Sequence, residues 1–494
     1  MNREKGLDRL ASEKDWDILI IGGGATGLGA ALDAASRGHR TVLLERGDFA
    51  QGTSSRSTKL VHGGVRYLKQ GNISLVKGAL RERGLLFQNA PHLVNPLPFI
   101  IPSHHWWEGP YFATGLKLYD WLAGDLGIED TKLLGKESTL EEIPKLRSEK
   151  LKGGVKYWDG QFDDARLAVD FATTIWKQDG LALNYVEVKE LFKENGRISG
   201  AISVDSRNGK TYQINAKCVI NATGVFSDSI RKLDNQEAQN IIKASQGAHI
   251  VLDRDQLPMN SALIVPKTTD GRVLFAIPWH NRIIVGTTDT PVDSIEQNPQ
   301  PFPEEIGFIV ENAQNYLDVT LKQDDIKSVY AGLRPLVSLK SGKGSTAQLS
   351  RDHYIEISES GLVSIAGGKW TTYRKMGEDV VNRAEISANL DSRPCVTKNL
   401  PINTSQPKPQ DKSLHPALPY SKNQIEASIE SEMPLTLEDV LSRRTRAQVL
   451  DLAAAKEIAP FIADLMVGKG VLAESEKAAH LAEFDKKAGI IPII

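Results

Sequence analysis

The segment GTSSRSTKLVHGGVRYL, residues 52–68, concentrates side chains that could bind an anion and move a proton. It contains Arg56, Lys59, His62 and Arg66, interleaved with glycines and small hydroxyl residues, and it contains no acid. An arginine binds a phosphate through paired N–H donors, and a histidine is largely neutral at physiological pH and can accept a proton. A solvated basic surface is the competing interpretation of such a run.

A nucleotide-binding loop precedes this segment. The apolar run WDILII, residues 16–21, predicts a buried parallel strand, and it leads into Gly22-x-Gly24-x-x-Gly27 and then a helical pattern. These glycines permit a tight turn, approach of a pyrophosphate and close helix–strand packing. The next apolar run ends at Glu45, an acid that can accept hydrogen bonds from ribose hydroxyls. The pattern predicts a dinucleotide cofactor but does not separate NAD from FAD.

Two later stretches favour FAD. Residues 218–224, CVINATG, read as a strand that ends in a turn of small residues, and residues 361–381 repeat strand, double glycine and helix. The N-terminus of that second helix, near residues 368–372, could face the electron-rich end of a reduced flavin. Three strand-to-turn elements so far apart indicate one extended cofactor held by a discontinuous domain.

Composition indicates a soluble globular protein. The 494 residues are 40% hydrophobic and 25% charged with a formal net charge of −2, so nothing predicts a nucleic-acid partner. The two cysteines, Cys218 and Cys395, are far apart, which excludes a cysteine-ligated zinc site or iron–sulfur cluster and fits a cytoplasmic setting. We expect no metal. No apolar run approaches the length that spans a bilayer.

With these residues assembled, the sequence resembles the FAD-dependent sn-glycerol-3-phosphate dehydrogenases of the respiratory type over nearly its whole length. The stretches that carry the resemblance are GTSSRSTKLVHGGVRYL (52–68), DGRVLFAIPWHNRIIVGTTDT (270–290), AGLRPL (331–336), AGGKWTTYRKM (366–376) and DVLSRRTRAQVLD (439–451).

The resemblance implies an α/β architecture with a glutathione-reductase-like FAD-binding domain, an inserted mixed-sheet substrate domain and a C-terminal helical domain. The expected segments are 12–75, 155–240 and 345–395 for the FAD-binding domain and 76–154 and 241–344 for the substrate domain. A linker at 396–421, which holds five prolines, would lead to the helical domain at 422–494.

The resemblance also implies a reaction, the oxidation of C2 of glycerol 3-phosphate to give dihydroxyacetone phosphate. A hydride would pass from C2 to the flavin, the hydroxyl proton would pass to a base, and cations would hold the phosphate. The residues expected to contact FAD are Gly22, Gly24, Gly27, Glu45, Thr53, Ser54, Ser55, Ala222, Gly224, Gly367, Gly368 and Thr371.

Five residues are expected at the substrate. Arg56, Arg334, Lys369 and His249 are the candidate substrate ligands, although His249 lies on an apolar strand and a core histidine is the alternative. His62 is the first choice as the base, because the neighbouring cations would keep it neutral, with Lys369 and Arg334 as rivals. Arg66 could instead be structural, paired with a carboxylate.

Electrons would pass to a membrane quinone, ubiquinone or menaquinone. Residues 54–90 carry seven basic side chains against one acid, so we expect peripheral contact with the inner face of the cell membrane. Lys69, Lys77, Arg81 and Arg83 would lie on a solvated or membrane-facing surface. The aromatic-rich residues 97–121 could be core, interfacial anchors or part of a quinone path.

Three further possibilities stay open from the sequence. An oxidase that passes electrons to oxygen would, by the resemblance, carry an additional insertion, which we expect this chain to be too short to hold. A flavin- or nucleotide-binding module without turnover is the alternative outside enzymes. A homodimer is possible.

Overall fold

The computed structural model describes residues 1–68, 71–338, 352–404 and 406–488, without the side chain of Arg66. The predictions made for Arg66 and Lys69 therefore lie outside the described residues, as do residues 345–351 and 489–494 of the predicted domains.

The strands and helices follow in chain order. The strands are β1 (Asp15–Ile21), β2 (Thr41–Leu44), β3 (Leu60–Val61), β4 (Val94–Ser103), β5 (Lys132–Gly135), β6 (Gly153–Phe162), β7 (Leu181–Leu183), β8 (Val186–Glu194), β9 (Arg197–Asp205), β10 (Thr211–Asn221), β11 (Ile242–Asp253), β12 (Ala262–Val265), β13 (Leu274–Trp279), β14 (Arg282–Gly286), β15 (Thr290–Val292), β16 (Ile326–Val337), β17 (His353–Ile357), β18 (Val363–Gly367), β19 (Ser413–His415) and β20 (Leu418–Ser421). The helices are α1 (Arg3–Ser12), α2 (Ala25–Ser36), α3 (Ile73–Asn89), α4 (Glu108–Ala123), α5 (Lys136–Glu142), α6 (Asp164–Lys177), α7 (Ser227–Asp234), α8 (Pro303–Tyr316), α9 (Tyr373–Ser387), α10 (Lys422–Ser431), α11 (Ala447–Leu450), α12 (Leu452–Gly468) and α13 (Lys477–Lys487).

The first sheet has the order β17-β18-β10-β1-β2-β7, with β9 and β8 added beyond β10. Strands β18, β10, β1, β2 and β7 run parallel to one another, and the run WDILII in β1 is buried from Ile18 onward, as a strand covered on both faces requires. Helices α2, α6 and α9 pack on this sheet around one apolar core. Its strands come from widely separated parts of the chain, so the predicted discontinuous domain is confirmed.

The second sheet is mixed and has the order β15-β11-β14-β13-β12-β4-β6-β3, with β16 beside β11 and β5 beside β6. Helix α8 covers one part of it, and α3 and α4 cover another. Strands β3 and β6, which fall in segments expected to belong to the cofactor domain, pair with each other in this second sheet. The segment 52–68 therefore passes from the cofactor sheet into the second sheet.

The C-terminal domain is helical, as predicted. Helices α10 to α13 share an apolar core with Val251, Trp279, Ile284 and Tyr330 of the second sheet, so the domain rests on that sheet. The predicted linker contains the small β19–β20 hairpin. Within the ranges that the structure describes, no helix combines the length and the apolarity needed to cross a bilayer.

Candidate active site

The dinucleotide loop has the steric form that its glycines predict. Gly22 has φ of +108°, a conformation that L side chains rarely adopt, and a Cβ on Gly27 would lie 1.9 Å from the carbonyl oxygen of Gly22. Gly24 is the N-cap of α2, and the N–H of Ala25 in the first turn donates to Ser54 Oγ at 2.9 Å. The loop and the segment 52–68 therefore meet at the positive end of α2, where a pyrophosphate would bind.

Glu45, at the end of β2, braces this loop. Its carboxylate accepts hydrogen bonds from the N–H groups of Gly23 at 2.6 Å and Gly47 at 2.8 Å, and burial raises its pKa. A carboxylate has about four acceptor positions, so Glu45 can hold the loop and still accept from ribose hydroxyls. Arg46, which the sequence analysis passed over, stacks its guanidinium 3.9 Å from the ring centroid of Phe226.

The turn after β10 closes on the same loop. Ala222 donates its N–H to the carbonyl of Ile21 at 2.9 Å, and a Cβ on Gly22 would lie 2.7 Å from the carbonyl oxygen of Ala222. Gly224 has φ of +58° and begins the short helical turn that leads into α7. The structure therefore brings Ala222 against Gly22 of the dinucleotide loop, and Gly224 follows in the same turn.

The double-glycine turn after β18 meets segment 52–68 from the other side. Gly367 has φ of +77° and Gly368 has φ of +76°, and a Cβ on Gly368 would lie 2.4 Å from Met376 Sδ. Trp370 Nε1 donates to the carbonyl of Ser54 at 2.8 Å, and Thr371 Oγ1 accepts from the N–H of His62 at 3.1 Å. Three remote stretches thus form one cradle from α2 to Thr371, which fits an extended dinucleotide.

The GTSS turn itself is ordered by other elements. Residues Thr53–Ser55 form one turn of 3₁₀ helix, and Thr53 Oγ1 donates to the carbonyl of Leu333 on β16 at 2.6 Å. The carbonyl of Ser55 accepts from Lys59 Nζ at 2.7 Å and from Arg446 Nη2 at 2.9 Å. Thr53 and Ser54 are therefore already oriented by protein partners, while Ser55 is held through its backbone.

Lys369, after the double glycine, lies against the turn at His62. Its Nζ is 4.3 Å from the ring centroid of Tyr67, and a Cβ on Gly64 would lie 3.5 Å from that Nζ. A cation over an aromatic face is stabilised by the ring quadrupole. Lys369, His62 and Tyr67 therefore border one small region. Tyr67 belongs to segment 52–68, but its residue type alone does not predict a site role.

Arg334 and His249 lie together on β16 and β11. Arg334 forms an ion pair with Asp289 at 3.2 Å and donates to Thr287 Oγ1 at 3.0 Å. His249 is buried and stacks on Tyr330 with ring centroids 4.7 Å apart, and its Nε2 lies 2.9 Å from Thr58 Oγ1.

The protonation state of His249 follows from its surroundings. Burial, with two nearby cations in addition, holds the pKa of its imidazole well below the usual range. A neutral imidazole has one donor and one acceptor nitrogen, and Nδ1 of His249 is buried without a hydrogen-bond partner among the described residues. A buried polar atom in this position fits a bound molecule that completes the site.

The basic cluster of segment 52–68 does not stay together. Arg56 donates to Asn298 Oδ1 at 2.5 Å and to the carbonyl of Ala331 at 3.2 Å, and burial lowers its pKa to about 10. It lines a cavity of about 50 Å³ together with Arg443 and Arg446 of the C-terminal domain. The structure therefore engages Arg56 at the domain interface.

Lys59 and Arg83 also form buried ion pairs and do not contribute to the predicted basic surface. Lys59 Nζ forms a fully buried ion pair with Asp164 at 2.7 Å, and Arg83 Nη1 pairs with Asp159 at 2.8 Å. The expectation that Arg83 is solvated or faces a membrane is wrong, because Arg83 is only 2% exposed. The expectation that Lys59 and Arg56 act on His62 loses its basis, since both side chains are engaged elsewhere.

The sequence analysis missed two residues that hold the turn at His62. Tyr119 on α4 accepts a hydrogen bond from the N–H of Gly63, and Asp159 on β6 accepts one from Tyr119. Neither lies in a motif, so no local pattern could have found them. Among the described residues no cluster of His, Cys, Asp and Glu has the arrangement of a metal site.

Two protein-family models match the sequence. Residues 17–374 match the model described as FAD dependent oxidoreductase, and residues 395–477 match the C-terminal domain of alpha-glycerophosphate oxidase. The first match ends at residue 374, in the first turn of α9, and the second begins at residue 395, before the β19–β20 hairpin.

Curated relatives and a solved structure that spans nearly the whole chain are named glycerol-3-phosphate dehydrogenase. The mitochondrial glycerol-3-phosphate dehydrogenases of Macaca fascicularis and Homo sapiens are 40% and 41% identical, over 98% and 94% of this chain and 75% and 72% of their own lengths. The glycerol-3-phosphate dehydrogenase of Bacillus halodurans, solved with FAD, has a TM-score of 0.78 at 28% identity and covers 98% of this chain and 97% of its own. An L-alpha-glycerophosphate oxidase of Mycoplasma pneumoniae, at 18% identity and a TM-score of 0.60 over 78% of this chain and 98% of its own, shares the fold.

Proposed function

This chain belongs to the FAD-dependent glycerol-3-phosphate dehydrogenase family, and we propose that it oxidises sn-glycerol 3-phosphate at C2 to dihydroxyacetone phosphate. The observation that carries the proposal is that segment 52–64, which includes His62, meets residues 367–372, which include Lys369. A cation and a histidine therefore lie at one end of a dinucleotide cradle. The reaction needs all three: the cation for the phosphate, the histidine for the proton and the cradle for the cofactor.

The cofactor is FAD, which supplies a two-electron acceptor for the hydride that leaves C2. The residues proposed to hold its phosphates and riboses are those of the dinucleotide loop, Gly22, Gly24 and Gly27, together with Glu45. Thr53, Ser54 and Ser55 and the turns at Ala222 and Gly224 would lie along it, and Gly367, Gly368 and Thr371 would face the flavin.

The substrate phosphate is held by Arg334 and Lys369 in this proposal. Arg334 pairs with Asp289 and donates to Thr287 Oγ1 and to the carbonyls of Gln246 and Thr288, so its guanidinium is fixed in place before substrate binds. Its positive charge would attract the phosphate, and ordering the group in advance lowers the cost of binding. Arg56 we assign to the domain interface instead, because its guanidinium lines the cavity shared with Arg443 and Arg446.

His62 and His249 take different parts. An imidazole nitrogen of His62 takes the proton of the C2 hydroxyl as C2 is oxidised, with the backbone of His62 fixed by Thr371. His249, buried and neutral, contributes a polar contact to the bound substrate through Nδ1. Lys369 and Arg334 are weaker candidates for the base, since each would have to lose a proton that it normally keeps at neutral pH.

The proposed electron acceptor is a membrane quinone, ubiquinone or menaquinone, reached by peripheral contact with the inner face of the cell membrane. Helix α4 and the residue before it supply the surface. Trp107, Tyr111, Leu118 and Trp121 recur at helical spacing along one side of the helix and are exposed, while the opposite side is buried.

An exposed row of this kind needs a partner. Trp106 and Trp121 are 83% and 76% exposed, and they extend the row of Trp107, Tyr111 and Leu118. Soluble proteins rarely leave such aromatic patches in water, and tryptophan prefers the boundary between headgroups and acyl chains. We define this set as the aromatic face and propose a lipid bilayer as its occupant. A second copy of the chain would be the other outcome.

The deciding experiment is anaerobic addition of glycerol 3-phosphate to the FAD-loaded protein. The visible flavin absorbance should bleach at a saturable rate, and glycerol without the phosphate should bleach it far more slowly. A flavin that stays yellow would leave a binding module. Turnover with a soluble quinone analogue, compared with hydrogen peroxide formation in air, then separates a dehydrogenase from an oxidase.

A further inference from the structure

The turn at His62 to Gly64 is held by two side-chain hydroxyls from different parts of the molecule. The N–H of His62 donates to Thr371 Oγ1 at 3.1 Å, and the N–H of Gly63 donates to the hydroxyl of Tyr119 at 2.7 Å. Thr371 belongs to the cofactor cradle, whereas Tyr119 belongs to helix α4, which packs on the second sheet. The second contact therefore reaches the turn from outside the cofactor cradle.

The Tyr119 hydroxyl is itself part of a buried chain of hydrogen bonds. It donates to Asp159 Oδ2 at 2.6 Å, and Asp159 Oδ1 accepts from Arg83 Nη1 at 2.8 Å. Tyr119, Asp159 and Arg83 are each no more than 2% exposed. Buried hydrogen bonds to charged groups fix geometry, because moving one group would leave its partner unpaired in the interior.

The strands that flank the turn and carry Asp159 pack closely against each other. Strand β3 directly precedes the turn and pairs with β6, where Val61 lies opposite Gly160, the neighbour of Asp159. A Cβ on Gly160 would lie 2.6 Å from Val61 Cγ2, so the two strands are in close contact. Space around the turn is equally limited, since a Cβ on Gly63 would lie 2.7 Å from both Leu80 Cδ2 and the Tyr119 hydroxyl.

We propose that Tyr119 is a positioning residue for the oxidation step: its hydroxyl, fixed by Asp159 and Arg83, sets the backbone of the turn that carries His62 and borders Lys369. The expected effect on the oxidation step rests on the proposed function, whereas the expected effect on the order of the turn does not. Tyr119 does not touch the reacting atoms in this account. It acts through Gly63.

The test compares Tyr119→Phe with Tyr157→Phe in the FAD-loaded protein. Tyr157 is a matched control, because it is buried in the same apolar cluster, lies 6.2 Å edge-on from Tyr119, and takes no part in the hydrogen bonds just described. In Tyr119→Phe, anaerobic flavin reduction at saturating glycerol 3-phosphate should slow by roughly 10- to 100-fold, since a misplacement of about 1 Å costs about 10²-fold. The substrate concentration at half-maximal rate should change by less than about threefold, and Tyr157→Phe should behave like the unsubstituted protein.

A second variant and a second readout keep the outcomes distinct. Gly63→Ala drives a Cβ into Leu80 and the Tyr119 hydroxyl and so displaces the same turn. It should give the same loss of rate with FAD content retained, even if Tyr119→Phe does not fold. Backbone hydrogen exchange of residues 60–68 should accelerate at least about tenfold in Tyr119→Phe and stay unchanged in Tyr157→Phe.

The two proposals fail in different ways. If glycerol 3-phosphate does not reduce even the unsubstituted protein, the proposed function fails, and hydrogen exchange still decides whether Tyr119 holds the turn. Unchanged exchange in Tyr119→Phe overturns the inference. So does a reduction rate near that of Tyr157→Phe, or a loss that appears only as weaker substrate binding.

Discussion

Lys59 and Asp164 form an ion pair in which neither side chain is exposed, with Nζ 2.7 Å from Oδ2. Lys59 also donates to the carbonyl of Ser55, and Asp164 accepts from the hydroxyl and the N–H of Ser57. The pair therefore anchors the GTSS turn from beneath. Burial lowers the pKa of Lys59 to about 8, because the ammonium is removed from water despite its partner.

The free energy of unfolding should depend on pH through Lys59. Because its pKa is lower in the folded protein than the usual value near 10.5, the unfolded chain binds more protons between about pH 8 and 10.5. The contribution of Lys59 to stability therefore rises with pH across that window and is lost again as pH falls through 8. Denaturant titrations at pH 7.5 and 9.5 should show the unsubstituted protein gaining about 1–2 kcal/mol relative to Lys59→Met. An equal pH response of both proteins would contradict the assignment.

Arg334→Ala should weaken recognition of the phosphate. Hydrogen bonds to charged groups contribute about 1.5–3 kcal/mol, so the apparent Michaelis constant for glycerol 3-phosphate should rise roughly 10- to 150-fold. The rate with glycerol, which has no phosphate, should fall much less. Arg56→Ala is the matched control, since its guanidinium lines the cavity at the domain interface. Equal losses with both substrates would place Arg334 in the chemistry or the fold.

His62→Asn should slow proton removal without emptying the site. A general base contributes about 10²- to 10⁴-fold, so anaerobic flavin reduction should slow within that range while FAD content and substrate binding persist. The pH profile of the reduction step should lose its acid limb, because the group that must be neutral is gone. A reduction rate near that of the unsubstituted protein would pass the role of base to Lys369 or to a water held by Arg334.

The aromatic face should decide membrane binding. Trp106→Ser combined with Trp121→Ser should lower pelleting with vesicles of phosphatidylcholine and phosphatidylglycerol at least about tenfold, since burying one large apolar side chain contributes about 1.5–3 kcal/mol. Ile386→Ser is the control, because Ile386 is also 75% exposed but lies on α9.

The salt dependence separates the aromatic face from a basic surface. Binding should survive about 1 M salt, where the Debye length is about 3 Å, because aromatic burial is not screened. A loss of binding at high salt would instead assign the membrane contact to the basic residues of segment 54–90, of which Lys77 and Arg81 are exposed. Unchanged pelleting of the double variant would contradict a bilayer as the occupant of the aromatic face. A concentration-dependent doubling of mass in the unsubstituted protein that the variant loses would assign the face to a second copy.

The sequence by itself determined the cofactor loop and the class of protein. The constraints on Gly22, Gly24 and Gly27 act within a few residues, so the spacing of the glycines is enough to specify the turn and the start of α2. The turns at Ala222 and Gly368 follow from the same local logic of strand, small residue and helix. The three separated strand-to-turn elements indicated the discontinuous domain, the family resemblance implied the helical C-terminus, and both are confirmed.

Tertiary structure alone decided where the basic side chains of residues 54–90 point. A buried cation must find an acceptor, and the acceptors lie far along the chain: Asp164 for Lys59, Asn298 for Arg56 and Asp159 for Arg83. A count of charges in the sequence therefore predicts one basic surface, whereas the fold directs these cations to acceptors in different places.

The two sides of α4 give the same lesson. Both carry large apolar residues, so periodicity could not tell which side is buried, and packing against β4 and β6 turns Tyr119 inward and Trp121 outward. The hold of Tyr119 on Gly63, across 56 residues of chain, depends on that choice and could be seen only in the folded molecule.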